Sequence, residues 1–172
     1  MPSNHPQVEQ IEFLVIGCGP AGGIAAREAA RSGVGTVVLE KDGVVGAKRV
    51  CAAGLRPGFC GIFDLPASIV HCDTPRLALF DPSGEEYELA ILPGHTTTRE
   101  ELDGTIGELA RAEGADVRTS SLFRAMRRDR DRLLIDYADL RAGVRKTIAA
   151  RNIFFAQGST AKLEETEVGY AQ

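Results

Sequence analysis

The chain has 172 residues, enough for one domain with a proper core, and its 44% hydrophobic and 26% charged content is that of a globular protein. A formal net charge of −4 argues against nucleic-acid partners, no apolar run reaches membrane-spanning length, and the polar opening segment lacks the layout of a signal peptide. Four cysteines, Cys18, Cys51, Cys60 and Cys72, have neither CxxC spacing nor histidines at metal-ligand intervals, so the sequence reads as a reduced, cytoplasmic protein without disulfides or zinc.

The first predicted element is a buried parallel strand at Phe13-Leu14-Val15-Ile16, which stops at a glycine turn and runs into an Ala-rich helix. In Gly17-Cys18-Gly19-Pro20-Ala21-Gly22 each glycine has a separate task. Gly17 permits the tight turn, Gly19 removes a side chain that would block a pyrophosphate, and Gly22 lets helix and strand pack closely. Pro20 suits a first-turn position, where no N–H partner is needed. The helix carries Ala25, Ala26, Ala29 and Ala30 and stops at Ser32-Gly33. A second strand, Thr36-Val37-Val38-Leu39, ends in Glu40, about where a carboxylate accepts the hydroxyls of an adenosine ribose. Strand, turn, helix and acid together read as a dinucleotide site.

Lys41 opens a turn-rich segment leading to Lys48-Arg49-Val50-Cys51-Ala52-Ala53-Gly54-Leu55. Its small residues would admit a flat ring close to the backbone, and Arg49 and Lys48 suit an anionic cofactor. On the residues alone, an ordinary surface loop with one buried cysteine is an equal reading.

The glycine turn, Glu40-Lys41 and the Arg49 to Leu55 element together resemble the geranylgeranyl reductase family of FAD-dependent oxidoreductases, within the p-hydroxybenzoate hydroxylase-like flavoprotein group. The basic-x-Cys-small-small-Gly-Leu element is the more diagnostic part. The resemblance implies a Rossmann-like α/β FAD-binding domain with a parallel sheet, a three-stranded β-meander and an inserted β-hairpin. It implies FAD held by Gly17, Gly19, Pro20, Ala21, Gly22, Glu40, Lys41, Arg49, Cys51, Ala52 and Gly54, with the cysteine loop beside the flavin. It also implies reduction of isoprenoid double bonds, an external donor such as NAD(P)H, and peripheral membrane contact, because the substrate is a polyprenyl lipid. Cys51 is the candidate catalytic residue, with a plain buried thiol as the competing reading.

Farther along, a short helix is expected between Pro57 and Pro66, then a hairpin with arms at 76–80 and 86–91 around Asp81-Pro82-Ser83-Gly84. Thr98-Arg99-Glu100-Glu101 reads as a capping box, with Glu101 reaching back to the N-cap. The helix it opens carries Leu102, Ile106, Leu109 and Ala110 on one face. Arg99, Leu102 and Asp103 match the family's helix start, where the Arg contacts FAD. A cation is electrostatically misplaced there, which favours an anionic partner.

Residues 116–119 read as the next parallel strand, followed by a meander of runs at 121–128, 133–140 and 145–150. By resemblance, Phe123 gives backbone contacts to adenine. The arginines at 124, 127, 128, 130 and 132 alternate with Asp129 and Asp131 and read as a solvated face. A separate buried strand is expected at Asn152-Ile153-Phe154-Phe155, entering Ala156-Gln157-Gly158. Ala156 and Gly158 match a family element that closes over the nucleotide, with an uncharged Gln157 where Asp is usual.

The expected organisation is an unstructured segment 1–10, an FAD-binding domain 11–159 with a substrate-side insertion at about 56–97, and a loose tail 160–172. The match covers only the front part of the family's length, so the chain is expected to be truncated and inactive alone. A flavin monooxygenase or halogenase of the same fold, and an inactive nucleotide-binding fragment, are the alternatives.

Overall fold

The structure, a computed structural model, describes residues 8–47, 51, 53–89 and 94–158. In chain order the elements are β1 (Glu9–Ile16), α1 (Pro20–Arg31), β2 (Thr36–Leu39), β3 (Gly54–Leu55), α2 (Phe59–Ile62), β4 (Cys72–Thr74), β5 (Leu77–Phe80) and β6 (Glu86–Leu89). They continue with β7 (Gly94–Thr96), α3 (Arg99–Ala112), β8 (Asp116–Arg118), β9 (Ser121–Asp129), β10 (Arg132–Asp139) and β11 (Val144–Phe155). The chain divides into two units: residues up to Val45 with those from Ile106 onward, and Gly46–Thr105 between them.

The first unit is built on a six-stranded sheet in the order β8-β2-β1-β11-β10-β9. Neighbours among β8, β2, β1 and β11 pair parallel, whereas β11, β10 and β9 form the antiparallel meander. The apolar run of β2 is buried at all four positions, as a parallel strand covered on both faces requires. Side chains of β1 alternate between two cores. Val15 packs with Val38, Val117, and Ala26 and Ala110 of the two helices; Leu14 and Ile16 pack with Val37, Leu39, Ile135, Tyr137 and Ile148. Helices therefore line one face and the meander the other.

Arg118 shows how far the sheet curls. It is level with Leu39, and Leu39 with Ile16, yet its guanidinium donates to both carboxylate oxygens of Glu9 at 2.8 and 2.6 Å. It also donates to Asp116 at 2.8 Å. This hydrogen bonding holds the Glu9 carboxyl below its ordinary value of 4.5 and the Arg118 guanidinium above its own.

The second unit contains a three-stranded antiparallel sheet, β3-β7-β4, and the hairpin β5–β6. Asp81 Oδ1 accepts the N–H groups of Ser83 and Glu85 at 2.8 and 2.9 Å, which fixes the hairpin turn. The short helix expected between the prolines is a single turn, α2.

Three expectations need correction. β1 begins at Glu9, inside the segment expected to lack structure, because Glu9 and Gln10 pair with Ile148 and Ala149. Runs 145–150 and 152–155 are one strand, β11, which keeps a single register with β1 from Ile148 to Phe155. Its end is not buried: Phe154 and Phe155 are 40% and 43% exposed, because β10 pairs with β11 only as far as Ala150. Only half the capping box forms. Thr98 Oγ1 accepts the Glu101 N–H at 3.2 Å, but the Glu101 carboxylate pairs with His71 instead of reaching back.

The expected arginine face is largely exposed, with Arg127 donating to Asp136 at 2.6 Å. Arg132 departs from it, donating to the Ile11 carbonyl at 3.1 Å.

Because Glu9 titrates lower when folded, its contribution to stability is present above its unfolded value and is lost as pH falls through the folded one. Glu9→Gln is expected to cost under about 1 kcal/mol at neutral pH, the pair being partly exposed, and nothing once Glu9 is protonated. Urea melts of both proteins between pH 3 and 7 test this; a constant difference would exclude the linkage.

Candidate functional site

The end of β1 meets the start of α1 in a bend that only glycine can make. Gly17 has a φ of +100° and donates its N–H to the Leu39 carbonyl at 2.8 Å. A Cβ there would lie 2.5 Å from the Ala156 carbonyl oxygen, and one on Gly22 would lie 2.0 Å from the Gly17 carbonyl oxygen. Ala156 is held against the bend by its own N–H, which donates to Ile16 at 2.8 Å. Gly17, Gly22 and Ala156 are thus in mutual contact.

Gly19 is the N-cap of α1 and Pro20 follows at its first position. No side chain caps this helix start and its first turn carries no acid. Ala21 is exposed beside it. Its backbone N–H groups and positive dipole end form a surface suited to an anion.

Glu40 stands at this bend. Its Oε2 accepts the Cys18 N–H at 2.8 Å and its Oε1 accepts the Asp42 N–H at 2.9 Å. A carboxylate has about four acceptor positions, so two bonds leave capacity for hydroxyl groups. Its backbone is fixed as well: Glu40 N–H donates to Arg118 at 2.9 Å, and its carbonyl accepts from Ser121 at 2.7 Å. Lys41 is exposed, 3.9 Å from Asp42. Phe123 is two residues past Ser121, with its ring edge-on to Phe155 at 5.5 Å. Gly158 is exposed, with a φ of +75°. Arg49 and Ala52 lie outside the described residues.

In the second unit, the Cys51 thiol is exposed, contrary to a buried-thiol reading. Its sulfur accepts the Ala53 N–H at 3.4 Å. That contact, and then the Arg99 side chain, hold the thiol below its ordinary value of 9.0. Arg99 is tolerated at a helix start because its Nε donates to the buried Asp103 carboxylate at 2.9 Å, one turn along. Gly54 is exposed in β3. The thiol and guanidinium from separate sequence elements are therefore brought together.

Sequence reasoning missed Gly46, whose φ is +84° and where a Cβ would lie 2.5 Å from the Arg99 carbonyl oxygen. It read Ala53 only as a small residue, and missed that it takes a φ of +50° and aims its N–H at Cys51. Glycine at 46 was a readable signal; alanine at 53 gave none. Two histidine–carboxylate pairs were likewise unforeseen. His71 meets Glu101, and His95 lies 2.7 Å from Asp73, beside an open groove of about 450 Å³. Among the described residues no group of three or more side chains is placed to hold a metal ion.

The digeranylgeranylglycerophospholipid reductase of Thermoplasma acidophilum is 32% identical over 120 residues, covering 64% of this chain and 30% of that protein. The geranylgeranyl diphosphate reductase of Rhodobacter capsulatus is 25% identical over 154 residues, 88% of this chain and 38% of that protein. A geranylgeranyl bacteriochlorophyll reductase-like protein of Thermoplasma acidophilum superposes with a TM-score of 0.73 at 24% identity, covering 87% of this chain and 39% of that one. Over part of their length, this chain is similar to geranylgeranyl reductases. The myxobacterial chondrochloren halogenase, an FAD-dependent halogenase, superposes with a TM-score of 0.75 at 19% identity, covering 90% and 38%, and shares the fold. No family model matches. The chain spans only 30% and 38% of the lengths of the two curated relatives.

Two outcomes test the site's construction. Gly22→Ala is expected to destabilise the chain by about 2–3 kcal/mol in urea unfolding, since its Cβ must push backbone apart; an unchanged midpoint would contradict the close approach. Alkylation of Cys51 by iodoacetamide is expected to titrate below the ordinary thiol range, and Arg99→Ala to raise that midpoint only part of the way, because the Ala53 contact remains. A midpoint unmoved by Arg99→Ala would remove the guanidinium from the account.

Proposed function

We propose that this chain is the FAD-binding portion of an oxidoreductase that reduces isoprenoid carbon–carbon double bonds. The observation that carries the reading is the Glu40 carboxylate bonded to the Cys18 N–H at the mouth of a bend where a Cβ on Gly17 or Gly22 would strike backbone. The residues present fit a dinucleotide on chemical grounds: an uncapped helix start for a pyrophosphate and an acid with spare acceptors for a ribose.

In this reading Gly17, Gly19, Pro20, Ala21, Gly22 and Ala156 form the pyrophosphate cradle, while Glu40 accepts the ribose hydroxyls. Lys41 and Arg49 supply charge, Phe123 borders adenine, and Gly158 closes the nucleotide half. Cys51, Ala52, Gly54 and Arg99 belong to the flavin side. When bound, the flavin supplies hydride chemistry that no side chain of this protein has. The Ala53 N–H, and then Arg99, hold the Cys51 sulfur toward its thiolate form, so Cys51 accepts or returns a proton at Sγ. The segment 56–97 serves the substrate side. NAD(P)H or another external donor provides electrons.

A polyprenyl substrate is a lipid, so the reading carries peripheral membrane contact for a cytoplasmic protein. Among the described residues no helix is long and apolar enough to cross a membrane. A second reading, a flavin monooxygenase or halogenase, is favoured by the equally good superposition on the halogenase. The sequence relatives favour the reductase, since both are named for geranylgeranyl compounds.

FAD fluorescence is expected to be quenched on titration with the chain, and Glu40→Ala to weaken binding roughly tenfold or more, the loss of charge-assisted hydrogen bonds. Binding that is indifferent to Glu40 would overturn the ribose assignment. NAD(P)H-dependent oxygen uptake coupled to an oxygenated aromatic product would overturn the reductase reading in favour of the second.

A further inference from the structure

We infer that Arg141 is a positioning residue for the nucleotide site, acting through the loop that holds Glu40 in place; the inference rests on the assignment of Glu40 to a ribose. Arg141 lies in the turn between β10 and β11, distant in sequence from both the glycine bend and Glu40. Asp139 caps that turn, its Oδ1 accepting the N–H groups of Arg141 and Ala142 at 3.1 and 3.0 Å. The turn presents the guanidinium to three uncharged acceptors. Nε donates to Ser120 Oγ at 3.2 Å, and Nη2 donates to Thr119 Oγ1 at 3.0 Å and to the Gly43 carbonyl at 3.3 Å.

These acceptors belong to the two segments that carry the acid. Ser120 is buried in the left-handed region with a φ of +54°, a conformation that a non-glycine residue holds only when its surroundings impose it. Its N–H donates to Asp42 at 2.8 Å and its carbonyl accepts from Leu140 at 2.7 Å. Asp42 in turn donates its N–H to Glu40 Oε1, and the other carboxylate oxygen accepts from Cys18. An unbroken series of hydrogen bonds therefore runs from the Arg141 fork through Ser120 and Asp42 to the carboxylate at the bend.

A planar fork with several donors matches this work, because one group joins three oxygens on two segments. The single charge of a lysine cannot reach all three. Without Arg141, Gly43 and the Ser120 hydroxyl lose their tie to the meander, and residues 40–43 gain freedom. Any ligand held by Glu40 must then order the loop on binding.

The test uses the 172-residue chain, its Arg141→Ala and Arg141→Lys variants, and two readouts. Amide hydrogen exchange followed by NMR is expected to quicken about fivefold or more at Asp42 and Cys18 in both variants, the loss of one or two net hydrogen bonds, with Ile148 unchanged. Unchanged exchange at Asp42 and Cys18, equal quickening at Ile148, or full rescue by lysine would overturn the inference. The second readout is affinity for ADP and for 2′,3′-dideoxy-ADP, which lacks the hydroxyls. Arg141→Ala is expected to weaken ADP about fivefold and to leave the dideoxy compound unchanged. Equal weakening of both would overturn it, as the signature of direct contact or general damage. A wild-type chain that binds both alike would instead sink the ribose assignment of Glu40, while the exchange data still decide the role of Arg141.

Discussion

The hydrogen bond from the Cys18 N–H to the Glu40 carboxylate joins the first two strands at their ends, and most of the candidate site depends on it. It exists because β1 and β2 pair parallel in a register that sets Ile16 beside Leu39. Each strand then runs one residue farther, one into Gly17 and the other into Glu40, with the Gly17 N–H on the Leu39 carbonyl. A slip of one residue would turn Leu14, Ile16, Val37 and Leu39 out of their core, so burial fixes the register and the register fixes the acid. The site is thus secured by packing some distance behind it.

The same logic explains the glycines. Their role here is close approach more than flexibility: α1 leaves the bend so tightly that the Gly22 backbone faces the Gly17 carbonyl, and Ala156 fills the remaining side. Farther along α1, a Cβ on Gly23 would lie 2.5 Å from Ile106 Cγ2, and Gly107 of α3 faces Val45 and the Cys18 sulfur. Small residues at these places let the helices press on the sheet, which holds the start of α1 over the strand ends. The open helix start, suited to an anion, is a consequence of that pressure.

What could be read from the sequence was what local physics decides. Strands at 13–16 and 36–39 announced themselves as largely apolar runs next to turn residues, and Glu40 followed from its place at the end of one. The break drawn at Arg151 failed because β11 keeps one register with β1 on both sides of it, from Ile148 to Phe155. Glu101 failed as a reciprocal cap because His71, thirty residues away, competes for its carboxylate. Cys51 was legible as a candidate, but its exposure was not, and neither was the left-handed turn at Ala53 that gives its sulfur a donor. Arg141 was invisible for a similar reason: among many arginines, only its position after Asp139 in a curled meander distinguishes it.

The division of labour within the chain follows from the sheet. Parallel pairing gathers the ends of β1, β2 and β8 at one edge, where Gly17, Glu40 and Thr119 stand, and β11 adds Ala156. Ligands of open α/β sheets bind at such edges. That edge is generic: a reductase, a monooxygenase and a halogenase have the same need to hold an adenine dinucleotide, and a shared fold leaves their chemistry undetermined. Choice of reaction must therefore reside in residues outside the nucleotide cradle. In this chain the strongest such candidate is the Cys51–Arg99–Asp103 group, where a buried acid anchors a cation and the Ala53 N–H, followed by that cation, biases an exposed thiol toward its charged form. A thiol so biased carries more of the reactive thiolate near neutral pH than a free cysteine does, which makes Cys51 the more available nucleophile, while the dinucleotide reading itself rests on Glu40 and the glycine bend.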